Sequence, residues 1–239
     1  MLKTIFFASA FIVMLLGTSI LLIPYYILKI TKNRNIIEKY MNLVVSNWAR
    51  SIIFFTGSKV EIYGQENLKK LDRVLFVSNH ESMFDIPILI SKLPRVPGFI
   101  AKIELVKYPI LSTWMRLMHC IFMDRKNRKQ SLKAINQGIK NIKNGYPMVI
   151  FPEGTRSKSR KMRKFKKGSF RLAIKSNANI VPVTIIDSYK IFEANNNNVK
   201  KARVKLIIHP PLACEELSEK EKKNIHNITQ EMIEKELVK

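Results

Sequence analysis

Two short stretches carry residues able to do chemistry. Asn79 to Asp85 reads NHESMFD and puts His80 five residues before Asp85. About seventy residues on, Phe151 to Ser157 reads FPEGTRS, with Glu153, then a backbone-relaxing glycine, a hydroxyl and a guanidinium in Gly154, Thr155 and Arg156. Each stretch follows an apolar run, VLFVS (Val74 to Ser78) or MVI, of the kind that forms a buried strand. Residues five apart on a straight helix do not share a face, because near neighbours lie three or four apart. The pair meets only if His80 sits in the turn after the strand and Asp85 on the first turn of a following helix. Asp85 then takes a hydrogen bond from one imidazole nitrogen and leaves the other as base, which is the base-and-orienter half of a catalytic triad. No G-x-S-x-G elbow is present, and neither cysteine lies in a comparable motif. The chemistry left is direct: His80 removes a proton from a substrate hydroxyl, which attacks an acyl group. Arg156 offers a fork that holds a phosphate bidentately. Glu153 fits better as an orienter of Arg156 or of backbone amides than as a phosphate contact. The bland alternatives are a structural histidine beside a helix-dipole aspartate and a solvated arginine in an ordinary turn.

The elements that must position these residues are legible as alternating runs. KVEIYG (Lys59 to Gly64), VLFVS, GFIAK (Gly98 to Lys102), CIFM (Cys120 to Met123), MVIF (Met148 to Phe151), IVPVTII (Ile180 to Ile186) and RVKLIIH (Arg203 to His209) read as strands. Between them, Ser131 to Lys143 has helical spacing and Ser169 to Ser176 is a shorter helix. The pattern predicts an α/β fold, a mainly parallel sheet flanked by helices on both faces. In such sheets ligands bind beyond the carboxyl ends of the strands, where His80 and Arg156 fall. A last helix starts at Ser218, where SEKE puts Glu221 in a capping-box position, with Ile225, Ile228, Met232 and Leu237 as its stripe. NNNN (Asn195 to Asn198) reads as a surface loop.

The N-terminus adds a membrane-associated helical element. Thr4 to Leu28 contains no charged residue, a run longer than the roughly 20 residues a helix needs to cross a bilayer. A signal peptide has a shorter apolar core, about 7–15 residues. Tyr25 and Tyr26 sit where interfacial aromatics are expected, and Lys29, Lys32 and Arg34 form a basic flank that puts the rest of the chain on the cytoplasmic side. Asn35 to Phe55 is a second helix with a broad apolar face, ended by Gly57. It either lies at the membrane interface or belongs to the core. The expected division is residues 1–57 as a hydrophobic helical anchor and 58–239 as the αβ domain.

The chain has 239 residues, enough for one sizeable α/β domain plus an appendage. Its 42 Lys+Arg against 18 Asp+Glu give a formal net charge of +24, which calls for an anionic partner. Nucleic acid fits the charge, but no helix-turn-helix, zinc or RNP-like motif is present, and the uncharged N-terminal span is a poor companion for it. The cysteines, Cys120 and Cys214, lie far apart without metal-ligand spacing, so no metal site is expected and a reducing compartment is. Arg156 to Lys175 holds ten basic residues and no acidic one. Each is worth about 1 kcal/mol near an anionic leaflet. The run is read as a solvated charged face or as a membrane contact into which Phe165 inserts.

In this order and at this separation, NHESMFD and FPEGTRS resemble the glycerolipid acyltransferases, in particular bacterial 1-acyl-glycerol-3-phosphate acyltransferases. AKIEL (Ala101 to Leu105) with MDR (Met123 to Arg125), and VPV (Val181 to Val183), resemble two further blocks of that family. The likeness runs from roughly Leu71 to Ile186. It implies an αβ acyltransferase domain behind an N-terminal membrane element. It implies His80 as general base, Asp85 as its partner, and Glu153, Gly154, Thr155 and Arg156 as the site for the acceptor's phosphate, with Lys102 and Arg125 contributing and Pro182 structural. It implies acyl transfer from acyl-coenzyme A or acyl carrier protein to lysophosphatidic acid, or to another lysophospholipid or alcohol, without metal or redox cofactor. Ser112 and His119 stand where this family often has glycine. His119 is expected either to reshape the acyl or acceptor pocket or to rest as a satisfied core residue.

Overall fold

A computed structural model describes residues 1–68, 71–124 and 126–238. The strands are β1 (Lys59–Tyr63), β2 (Val74–Ser78), β3 (Gly98–Lys102), β4 (Ile121–Met123), β5 (Met148–Ile150), β6 (Asn179–Ile186), β7 (Arg203–Ile208) and β8 (Leu212–Ala213). They form one sheet in the order β1-β7-β6-β2-β5-β3-β4, with β8 beside β6. Pairing is parallel except where β6 meets β7 and β8. The seven strand runs read from the sequence are all present, within a residue or two at their ends. β8, two residues long, left no signal.

The sheet is covered on both faces, as the alternation of runs implied. Every residue of β2 is buried. Val74 and Phe76 enter one core and Leu75 and Val77 the other, the period-two alternation of a strand between two layers. One layer holds α3 (Arg34–Thr56), α4 (Asp85–Lys92) and α5 (Pro109–Leu117); the other holds α6 (Arg128–Lys143), α7 (Arg171–Ser176) and α8 (Glu219–Val238). Ser218 and Glu221 form the expected capping box at α8. Its buried stripe is Ile225, Thr229, Ile233 and Leu237, not Ile228 and Met232. A strict four-residue step brings in Thr229, whose hydroxyl is satisfied by the Ile225 carbonyl one turn back. α7 starts two residues late, at Arg171, because a 3-10 turn over Lys167–Phe170 precedes it.

The second helix is a core helix. α3 buries Met41, Val45, Ala49, Ile52 and Ile53 in the same cluster as α4 and the sheet, so the core runs continuously across position 57. Gly57 ends it in the left-handed region, at φ 71°, the conformation for which glycine is favoured. The uncharged N-terminal run is two helices, α1 (Leu2–Gly17) and α2 (Leu22–Ile30), joined by turns. It lies antiparallel along α3 from end to end. Lys3 Nζ donates to the Thr56 carbonyl, Phe6 meets Phe55 and Phe11 meets Trp48, and Tyr40 Oη donates to the Leu21 carbonyl. The opposite side, including Ile5, Ile12, Val13, Ile23 and Ile27, is exposed and apolar.

Phe165 does not reach outward from the basic run. It is 2% exposed in the second core, packed on Phe170, and its amide donates to Gln230 of α8. The flanking basic side chains keep their heads in water while the aromatic ring between them closes the core.

Ile88 of α4 is fully buried between α3 and the sheet. Ile88→Ala is expected to cost about 2–5 kcal/mol, lowering Tm by roughly 5–15 °C in a detergent-solubilised thermal melt. An unchanged Tm would contradict this packing.

Candidate active site

The site begins where β2 stops. Asn79 ends the strand by imitating it: its side chain donates to the Ile185 carbonyl and accepts from the Ile185 amide of β6, both at 2.8 Å. The chain then turns, and Asp85 opens α4. This is the geometry the five-residue spacing required. His80 Nδ1 lies 2.8 Å from Asp85 Oδ2. The same oxygen accepts the amides of Glu81 and Ser82 at 2.8 and 2.9 Å, and Oδ1 accepts the Ser188 hydroxyl. Asp85 is 0% exposed, so four donors satisfy a carboxylate that water cannot reach. The His80 ring is stacked on Phe151, centroids 4.0 Å apart and planes 14° apart. Its second nitrogen is left toward a cavity.

FPEGTRS comes back against this turn. The amides of Ser157 and Lys158 donate to the carbonyls of His80 and Glu81. Glu153 is buried, and its oxygens accept the backbone amides of His80 at 2.7 Å and Arg163 at 2.8 Å. It is an orienter of backbone amides, not of Arg156, and its carboxylate faces inward. Burial pushes its carboxyl up, opposed by those two amides and by His80. Gly154, at φ +77°, turns the chain; a side chain there would be strained whatever the space.

A cavity of about 460 Å³ joins the sequence-predicted groups. His80, Lys102, Thr155 and Arg156 line it, while Asp85, Glu153 and Gly154 are not among its lining residues. Apolar walls continue from the polar end, with Trp48, Phe99, Trp114, Met115 and Met118 among them, and Leu15 and Thr18 of the α1 end close one side. Arg125 lies outside the described residues.

Two residues that sequence reasoning missed complete the site. Glu193, its side chain 2% exposed, accepts from Arg156 Nη1 at 2.9 Å, the Met83 amide at 3.0 Å and the Ser82 hydroxyl at 2.6 Å. Ser188 braces Asp85. Both sit in short 3-10 turns after β6, where no periodicity or motif marks them. His119 is not in the cavity. It adopts φ 60°, which explains why glycine suits this position, and its ring stacks on Tyr146 at 3.6 Å in a neighbouring groove.

Glu153→Gln puts an amide NH2 against one of two backbone donors in a buried place. It is expected to destabilise by about 1–3 kcal/mol in a thermal melt and to lower kcat through the displaced His80 backbone. Wild-type values in both would show the clamp is dispensable.

The comparisons with known proteins converge on this geometry. The Acyltransferase family model matches residues 59–186, more than half of the chain. A 1-acyl-sn-glycerol-3-phosphate acyltransferase of Borreliella burgdorferi is 31% identical over 185 residues, 77% of this chain and 74% of that protein. A probable enzyme of the same name from Mycoplasma pneumoniae is 38% identical over 161 residues, 64% of this chain and 58% of that one. The chloroplastic 1-acyl-sn-glycerol-3-phosphate acyltransferase of Arabidopsis thaliana is 32% identical over 177 residues, and the match spans 73% of this chain but only 49% of the plant protein. The crystal structure of the 1-acyl-sn-glycerophosphate acyltransferase PlsC from Thermotoga maritima superposes with a TM-score of 0.86 at 27% identity, covering 99% of this chain and 93% of that one. With its sheet, its paired His80 and Asp85 and this family match in agreement, the chain belongs to the acyltransferase family.

Proposed function

We propose that this chain transfers an acyl group from a thioester, acyl-coenzyme A or acyl carrier protein, to the free hydroxyl of 1-acyl-sn-glycerol-3-phosphate, giving phosphatidic acid. The observation that carries the reading is the shape of the cavity: a histidine and cations at one end, apolar walls beyond. Relatives bearing this enzyme's name support the acceptor.

With Nδ1–H donated to Asp85, His80 keeps a lone pair on Nε2 and removes the acceptor hydroxyl's proton. The alkoxide attacks the thioester carbonyl, and the tetrahedral intermediate collapses by breaking the C–S bond; the departing thiolate takes the proton from the imidazolium and leaves as the thiol. Asp85 fixes the tautomer and balances the transient charge. Phe151 limits ring rotation. Arg156, held by Glu193 through one nitrogen, keeps other N–H groups for the phosphate, and Lys102 and Thr155 stand on the same cavity. The amides of His80, Glu81, Ser82 and Met83 are all engaged within the protein, and the Gly154 amide is bonded to the Phe151 carbonyl. The oxyanion is therefore met by other donors, with the cations at the mouth the nearest source of positive charge. The thioester is already activated, so the step needs no cofactor.

The membrane placement follows from the exposed side of α1 and α2. Leu2–Ile30 is apolar and long enough to cross a bilayer by length and composition. Its other side is docked on α3, which suits burial of one face in a single leaflet better than a crossing. Lys29, Lys32 and Arg34 at its end favour the cytoplasmic side of the cell membrane.

Purified enzyme on anionic vesicles, given lysophosphatidic acid and acyl-coenzyme A or acyl carrier protein, is expected to release thiol and form phosphatidic acid together. His80→Ala should lose about 10²–10⁴-fold in kcat; full activity would overturn the mechanism. Arg156→Ala should raise the acceptor KM by about 10–100-fold, the equivalent of one charge-assisted phosphate contact. An unchanged KM would transfer the reading to a different lysolipid or alcohol acceptor.

A further inference from the structure

Glu81 sits directly behind the site, and no step above uses it. It is 1% exposed. Its Oε2 accepts the Ser188 amide at 3.0 Å and lies 3.3 Å from the Ser188 hydroxyl. Its Oε1 has no hydrogen-bond partner among the described residues. The Ser188 hydroxyl is simultaneously the donor to Asp85 Oδ1.

Counting protons shows which form of Glu81 this arrangement favours. A serine hydroxyl carries one proton. With that proton on Asp85, Ser188 Oγ can only accept on its Glu81 side. An ionised Glu81 brings lone pairs alone, so two acceptors would face each other in a dry place. A protonated Glu81 removes that conflict, its proton turned toward Ser188 Oγ across the long 3.3 Å approach. Glu81 donates to Ser188, Ser188 donates to Asp85, and His80 Nδ1–H donates to Asp85 from the other side.

The surrounding charges agree. Asp85 on α4 and Asp187 after β6 both face Glu81. Arg160 of the basic run is near, but both its Nε and Nη2 are committed to Asp187, which Lys190 also holds. His80 adjoins in sequence and points to Asp85. Burial, then Asp85, then Asp187 push the Glu81 carboxyl up to about 9, against the opposing pull of the Tyr189 amide and Ser188.

We propose that Glu81 is a positioning residue that works as a neutral acid, donating to Ser188 and thereby holding Asp85 and His80 in line. The inference rests on His80 being the base. When Glu81 loses its proton, the Ser188 hydroxyl is divided between two carboxylates, and a second buried negative charge stands beside Asp85. Turnover then falls on the alkaline side. Folding is linked to the same proton. The folded protein holds it between the ordinary value of 4.5 and about 9, where the unfolded chain has released it. Stability therefore declines through that window as pH rises, relative to a side chain that does not titrate.

Glu81→Gln tests this with three readouts. Glutamine stays neutral but cannot donate and accept at one atom, so kcat at neutral pH should fall by about threefold. The alkaline fall of wild-type kcat, corrected with a His80→Ala blank for thioester hydrolysis, should disappear in the variant. The infrared difference spectrum of wild type minus variant at neutral pH should contain a protonated carboxylic acid band that is lost as pH rises past about 9. The Tm difference should shift in the variant's favour between about pH 5 and pH 9. An absent acid band, or an alkaline fall shared by the variant, would overturn the proposal. A wild type without acyl transfer would fail the functional reading alone, because the infrared band and the Tm trend still decide the state of Glu81.

Discussion

The structure depends on one buried carboxylate being fully paired. Asp85 is out of water, and an isolated charge there would be prohibitive. It is tolerated because the turn from His80 to Ser82 folds around it and gives it an imidazole and two amides, while Ser188 gives a hydroxyl. Its place as the first residue of α4 adds the favourable end of a helix dipole. The histidine is thus aimed by the same interactions that make the turn foldable. Orienting the imidazole and folding the chain are one problem with one solution.

Two more carboxylates extend the logic. Glu153 draws FPEGTRS and the basic run onto the His80 amide. Glu193 joins Arg156 to Ser82 and Met83. Each ties the 80–83 turn to a segment far away in sequence, so His80, Asp85 and Arg156 are held in a common frame. Pairings that consume the local amides also have a chemical consequence. The four backbone amides of the turn, from His80 to Met83, are all engaged within the protein, which leaves none of them free for a ligand.

How much of this was legible follows from the range of each interaction. His80 and Asp85 lie within one turn, so their meeting could be inferred from spacing and the helical periodicity after it. Glu153 was readable as an orienter, but whether of Arg156 or of backbone amides was open until the His80 and Arg163 amides were seen on it. Glu193 and Ser188 were invisible. Their partners are 37 and 103 residues away, and the short 3-10 turns that carry them have no pattern. Phe165 was misread because a basic run looks solvated throughout, although long basic stems can flank a buried ring. His119 gave a signal of the opposite kind: a bulky residue where glycine is usual marked a positive φ, not a pocket wall. The N-terminal run was legible as apolar and long. Its break after Gly17 and its register along α3 were not, since both depend on what it packs against.

The net charge of +24 understates the basic character of the outer surface. Asp85, Glu81 and Glu153 are among the buried residues, and the Glu193 side chain is nearly so. These acids are spent inside, on amides, hydroxyls and one arginine, while most of the Lys and Arg of the 156–175 run remain at the surface. The arrangement separates two electrostatic tasks. Inside, carboxylates position donors at short range, where burial makes each contact strong. Outside, cations act over about a Debye length, roughly 8–10 Å, on whatever anion approaches the mouth. The exposed apolar side of α1 and α2 and the basic mouth of the cavity give the surface two contrasting features, one apolar and one cationic.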